Sequence, residues 1–253
     1  MKHIVTDCNN LGCVFLGHAD YRKVLQMQHN IFDNLVELKR NHIETTGKEL
    51  ILMVEHNDVL TLGKHGKDTN LLVSEESLCA QGIECIRIER GGDITYHGPG
   101  QLVVYPVINL ERYGLGVKAY VNLLEEAVIR YLEIHGIKGK RIEGASGVWI
   151  ESDDKVDRKI CALGIKCSRF VSMHGFALNV TTDLSAFNRI NPCGFTDRGV
   201  TSIQKETGKS LSLESVAKDI AAILGELLGI PVVFVNKSNK FTDISNFQDT
   251  EEV

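Results

Sequence analysis

Two hydrophobic periods alternate along the chain. Behind Asp20, which can cap a first turn, Val24, Ile31, Leu35 and Leu38 recur at helical spacing and predict a helix over 21–40 that lays one apolar stripe on a sheet. The same period returns over 117–135 through Tyr120, Leu124, Val128 and Leu132, with Gly136 as its stop, and again over 213–228. Shorter helices are predicted over 74–81 and from Asp183 to 190. Between them lie strand-like runs at 14–16, 49–55, 59–62, 83–89, 101–110, 141–150, 159–167, 173–180 and 231–235. Asn57-Asp58 predicts a hairpin between the second and third of these runs. Ser152-Asp153-Asp154-Lys155 turns 141–150 back on 159–167, and with 173–180 they make an antiparallel meander. Paired strands interrupted by three long helices give an α/β chain of the α+β type, a mixed, largely antiparallel sheet covered by helices. From Asn236 the sequence turns polar and acidic, so 1–235 is predicted as a single domain and 236–253 as a mobile tail.

Composition narrows the function. A chain of 253 residues, 43% apolar, can bury one good core. Its net charge of -5 comes from 28 basic and 33 acidic side chains with no basic block, which disfavours nucleic-acid binding. No apolar run reaches about 18 residues and no charged leader precedes an apolar segment, so a cytoplasmic protein without a membrane span is expected. Seven cysteines form no Cys-x-x-Cys pair. In such a chain most are expected to be reduced, small core residues.

The chemistry concentrates in Arg90-Gly91-Gly92-Asp93-Ile94-Thr95-Tyr96-His97-Gly98-Pro99-Gly100-Gln101. Glycine lets a ligand approach the main chain, so Gly91, Gly92, Gly98 and Gly100 mark places where backbone lines a cleft. The plainer reading is a glycine-rich hairpin around a buried, hydrogen-bonded His97. The run is neither a dinucleotide-binding fingerprint nor a phosphate-binding loop. Among the cysteines, Cys193 stands apart, between Pro192 and Gly194 where the backbone must turn. A thiol with a pKa near 8.5 needs a base or a cation to act as a nucleophile. Lys159, His97 and His174 are all possible partners by residue type, and spacing does not choose among them. Cys161, Cys167, Cys193, His97 and His174 lack a metal-ligand spacing, so no metal is expected.

Four motifs in order choose where spacing does not. The glycine-rich run, Lys159-Ile160-Cys161-Ala162-Leu163-Gly164-Ile165-Lys166, His174-Gly175-Phe176-Ala177-Leu178-Asn179-Val180 and Asn191-Pro192-Cys193-Gly194 together resemble the signature of the lipoate-protein octanoyltransferases. The resemblance implies the fold of lipoate and biotin protein ligases, Cys193 as the acyl-carrying nucleophile and Lys159 as its partner. It also implies an acyl-site wall made from Arg90, Gly91, Gly92, Asp93, Ile94, Thr95, Tyr96 and His97, from Ala162-Leu163-Gly164 and from Gly175-Phe176-Ala177. Lys166 stands where that signature often has arginine, and 195–200 follows no family pattern.

The implied reaction moves an octanoyl (or lipoyl) group from acyl carrier protein to a lysine of a lipoyl domain through a cysteine thioester. The acceptors would be 2-oxoacid dehydrogenase complexes and the glycine cleavage H protein, and no cofactor is called for. An ATP-dependent lipoate or biotin protein ligase on the same scaffold, and a non-enzymatic carrier-binding scaffold, are the rival readings. Acyl carrier proteins are acidic, so a local basic patch should receive the donor, with Lys138, Lys140 and Arg141 as the candidate.

Overall fold

The computed structural model describes residues 10–151, 156–191 and 199–235. Cys193, the expected tail from Asn236 onward and the turn expected at 152–155 lie outside the described residues. The chain opens with β1 (Leu11–Ala19), α1 (Tyr21–Arg40), β2 (Leu50–His56) and β3 (Val59–Leu62), then α2 (Glu75–Ala80), β4 (Glu84–Arg87), β5 (Ile94–His97) and β6 (Gln101–Val107). After α3 (Val117–Ile134) come β7 (Gly139–Ile142), β8 (Ala145–Glu151), β9 (Asp157–Ser168) and β10 (Val171–Asn179). The described chain ends with β11 (Gly199–Val200), α4 (Ile203–Thr207), α5 (Leu213–Leu228) and β12 (Val232–Phe234).

The helices begin and end where their caps direct. Asp20 Oδ1 accepts from the Lys23 N–H at 3.0 Å at the head of α1, and Ser212 does the same for Ser215 on α5. Gly229, at φ 69°, closes α5 in the left-handed conformation that a side chain resists. The buried face of α1 is rotated from the predicted stripe: Val24 and Leu35 are buried, but Phe32 and Val36 replace Ile31 and Leu38. The Asp183 segment is a 3-10 turn, Leu184–Arg189.

Among the described residues, eight strands follow one another across the main sheet in the order β12-β1-β2-β6-β10-β9-β8-β7, with β11 added alongside β9. The meander over β8, β9 and β10 is antiparallel as expected. Its first run is split by a turn at Gly144, φ 76°, into β7 and β8. The helices α3 and α5 cover one face over a core of Leu124, Val128, Leu178 and Ile220. The other face carries α1, through Val24 against Leu52, Val103 and Tyr105, and through Phe32 against Met173.

The expected hairpin at Asn57-Asp58 does not form. Instead, β2 stays in the main sheet between β1 and β6, while β3 crosses into a second, three-stranded sheet ordered β4-β3-β5. There β3 runs parallel to β4, the return made by α2, and antiparallel to β5. Both runs are buried on both faces along nearly their whole length, so neither carries the alternation that would name its partner. The small sheet has its own core of Leu60, Leu62, Leu78, Tyr96 and Phe187. The five described cysteines are free: Cys13 and Cys161 are buried in the main core, Cys167 and Cys85 are half-buried against the main and small cores, and only Cys79, on α2, is exposed.

Candidate active site

A narrow cleft, open to solvent, lies between the two sheets. One wall is the α1-facing side of the main sheet. The register sets it: Val103 and Ala162 flank Ala177 on the neighbouring strands, and Gly164 sits opposite Gly175. Small residues at 162, 164, 175 and 177 keep this wall low, while the intervening Leu163 and Phe176 turn their side chains to the opposite face, into the core under α3 and α5. The small sheet and the loop before it form the facing wall, through Arg90, Gly92, Asp93, Ile94, Thr95 and His97.

That loop is tied down on both sides. Gly91 donates its N–H to Ile165 O on β9 at 2.9 Å, and a Cβ on Gly164 would stand 2.6 Å from Gly91 O. Arg90 reaches the other way, donating to Thr61 O at 2.7 Å and to Thr61 Oγ1 at 3.0 Å on β3. The loop therefore bridges the two sheets, which is why backbone can line a cleft there. Gly98 and Gly100 serve the fold instead, since a side chain at either would run into Tyr96 or Thr181.

Of the residues expected in the acyl-site wall, all but Gly91 and Tyr96 line the cleft. Along β5, Thr95 and His97 look into it, whereas the Tyr96 ring packs on Phe187 and its hydroxyl donates to Asp58. Lys159 opens into the same cleft beside Val200, with which its backbone pairs. Tyr21, Val103, Tyr105, Ser146, His174, Asn179, Phe187 and Val200 complete the lining, and of these only His174 and Asn179 fall within the sequence motifs. Two-residue alternation along β6 would have found Val103 and Tyr105.

The histidines here are neutral. His97 Nδ1 is 2.8 Å from Gln101 Oε1, and Gln101 spends its own N–H groups on Tyr96 O and Asn179 Oδ1. Gln101 therefore accepts, and the His97 proton resides on Nδ1. Burial, with His56 adding like charge, pushes the His97 pKa down to about 3. Burial, with Arg90 nearby, does the same to His174. His56, behind them, donates from Nδ1 to Ala19 O at 2.9 Å and accepts at Nε2 from the Tyr105 hydroxyl at 3.0 Å. Its pKa is lowered to about 4, chiefly by burial. Groups held this far below neutrality are weak bases, which argues against His97 or His174 as a proton acceptor at pH 7.

No group of three metal-ligating side chains occurs among the described residues. No described helix is long and apolar enough to cross a membrane. The basic patch expected at Lys138, Lys140 and Arg141 is largely neutralised: Lys140 pairs with Asp157 at 2.7 Å and Glu151 at 3.1 Å, and Arg141 with Glu125 at 3.1 Å and Glu126 at 2.8 Å.

The fold is that of lipoate protein ligases. A bipartite lipoate protein ligase from Thermoplasma acidophilum superposes with a TM-score of 0.66 at 16% identity, covering 90% of this chain and 88% of that one. Residues 20–225 match the lipoyl protein ligase A/B catalytic domain. An octanoyltransferase of Parabacteroides distasonis is 49% identical over 216 residues, 84% of this chain and 96% of that protein. One of Bacteroides fragilis is 51% identical over 216 residues, 85% and 93% of the two chains. The chain belongs to the lipoyl protein ligase A/B catalytic-domain family, among its octanoyltransferases.

Proposed function

We propose that this octanoyltransferase works through a thioester on Cys193, with Lys159 as its partner. The donor is octanoyl-acyl carrier protein, and the acceptor is a lysine on the lipoyl domain of a 2-oxoacid dehydrogenase complex or on the glycine cleavage H protein. One observation carries the reading: Lys159 shares a cleft with Ala162-Leu163-Gly164, Gly175-Phe176-Ala177 and the Arg90 loop. The chain on either side of Cys193 supports it. Asn191 donates its N–H to Asn70 O at 2.8 Å, and Val200 pairs with Lys159.

The reaction has two acyl transfers. The Cys193 thiolate attacks the thioester carbonyl of the donor, and the tetrahedral oxyanion collapses with loss of the carrier thiolate, which takes up a proton. An acceptor lysine amine then attacks the new thioester, expels the Cys193 thiolate and loses its proton as the amide forms. At pH 7 a lysine with pKa near 10.4 is about 0.04% neutral, so a group that accepts this proton accelerates the second step. With the cleft histidines held neutral and weakly basic, Lys159 is the better candidate.

Mixing the protein with octanoyl-acyl carrier protein without ATP should add the mass of one octanoyl group, released by hydroxylamine and passed on to a lipoyl domain. A requirement for ATP, with an acyl-adenylate as the intermediate, would replace this reading with that of a ligase. Binding of carrier with no transfer would leave only a scaffold.

A further inference from the structure

The segment from Gly63 to Leu72 has no part in the chemistry above, yet it backs the cleft wall. Three backbone bonds stitch it to the Arg90 loop: Gly63 N–H to Asp93 O at 3.2 Å, Lys64 N–H to Arg90 O at 2.9 Å and His65 N–H to Gly92 O at 3.1 Å. Its far end lies against the chain that leads to Cys193, through Leu72 N–H to Arg189 O and Asn191 N–H to Asn70 O, both 2.8 Å. The segment thus spans from the cleft wall to the approach of the nucleophile. Its main-chain groups face inward, and its charged side chains are left outside.

Lys64, His65 and Lys67 are exposed there. Among the described residues no carboxylate forms an ion pair with Lys64 or Lys67. Asp68 is engaged by Arg87, and Asp93 by the Asn70 amide and the Lys67 and Ile94 N–H groups. Leu72 adds an apolar side chain that is 59% exposed. Beside the cleft of a chain of net charge -5 thus stand two lysines with no ion pair among the described residues and a bare leucine, while Lys140 and Arg141 are paired with acids.

We propose that Lys64, Lys67 and Leu72 form the docking surface for the acidic acyl carrier protein that donates the octanoyl group. The proposal rests on the octanoyl-transfer reading and adds the surface at which the donor is received. Opposite charge steers the carrier to the rim, Leu72 gives the encounter an apolar contact, and the thioester arm then enters the adjoining cleft.

The test uses the double variant Lys64→Glu/Lys67→Glu and the single variant Leu72→Ser in the full chain. Lys118→Glu/Lys209→Glu, also exposed, matches the double variant in net charge. Loading from octanoyl-acyl carrier protein and from octanoyl-N-acetylcysteamine, which has no protein to dock, is followed across ionic strength. Lys64→Glu/Lys67→Glu should lower kcat/KM for the carrier by about tenfold at low salt and flatten its salt dependence. Leu72→Ser should lower it at all salt concentrations. Both should leave the small thioester and the transfer to lipoyl domain unchanged, and the matched control should behave as wild type. Unchanged carrier loading, equal losses with both donors, or a loss confined to the lipoyl-domain step would each overturn the donor surface. Failure of the unmodified protein to load from either donor would instead overturn the octanoyl-transfer reading itself.

Discussion

The ammonium nitrogen of Lys159 stands 4.5 Å from the centre of the Trp149 ring on the neighbouring strand β8. The ring is buried and pinned, its Nε1–H donating to Ala145 O at 3.1 Å, so it offers a fixed face to a cation. Lys159 is thus held as an oriented charge at the cleft. In the proposed mechanism Lys159 would favour the Cys193 thiolate as a cation, and as a neutral amine would take the proton released in the second transfer. Arginine supplies only the charge. Lys159→Arg should retain part of the Cys193 acylation and stall before lipoyl-domain transfer, whereas Lys159→Ala should impair both. Rapid-quench measurement of each half-reaction separates the outcomes, and near-normal transfer by Lys159→Arg would remove the base role from Lys159.

Acylation should be confined to one cysteine. Burial drives the Cys13 and Cys161 thiols far up, and Cys79, though exposed, does not line the cleft. Peptide mapping after brief exposure to octanoyl-acyl carrier protein should find the thioester on Cys193 alone, and Cys193→Ser should abolish turnover. A label on Cys79 or Cys161, or activity in Cys193→Ser, would refute the assignment.

Two glycines of the wall should fail differently. A Cβ on Gly175 would meet Val104 O in the adjacent strand, so Gly175→Ala forces β10 from β6 and should cost about 1–3 kcal/mol of stability by overpacking. A Cβ on Gly164 meets the Arg90–Gly91 loop instead, at Gly91 O and, 3.2 Å away, Arg90 Cδ. Gly164→Ala should displace that loop and raise KM for the octanoyl donor more than it lowers Tm. Thermal melts and steady-state kinetics on both variants provide the check.

Acid should unfold the protein through its buried imidazoles. His56, His97 and His174 have folded pKa values of about 4, 3 and 3 against 6.5 for the free ring. The unfolded chain therefore binds more protons, and stability is complete above about pH 6.5 and lost as pH falls toward 4 and then 3. Each neutral ring contributes a slope of about 1.4 kcal/mol per pH unit inside that window. Urea titrations at pH 7 and pH 5 should show a clear fall, and the difference should be smaller in His56→Gln whatever its stability at pH 7. An equal pH dependence in both proteins would contradict this account.

The helices were legible because their stops and caps are local: Asp20 and Gly136 act on residues within a turn of themselves. The meander was legible because its three strands follow one another in sequence and pair with their neighbours. Strand pairing across the chain was not. Leu50–His56 and Val59–Leu62 are nearly uniformly buried, and only tertiary packing sends them to different sheets. Within the cleft, the motifs named most of the wall, but a contiguous motif includes strand residues of both faces. Ile94 and Tyr96 lie on the side of β5 that builds the small core, so Tyr96 belongs to that core despite its neighbours. Tyr21 and Phe187 come from outside every motif and enter the site only through folding.

Because the cleft runs along the seam between two sheets with separate cores, an eight-carbon chain held there as proposed would act as a removable piece of interior. Acylated protein should then melt in a single transition at higher temperature than the free enzyme, and amides in β3 and β5 should exchange with solvent more slowly once the thioester forms. Each turnover would loosen and reseal that seam.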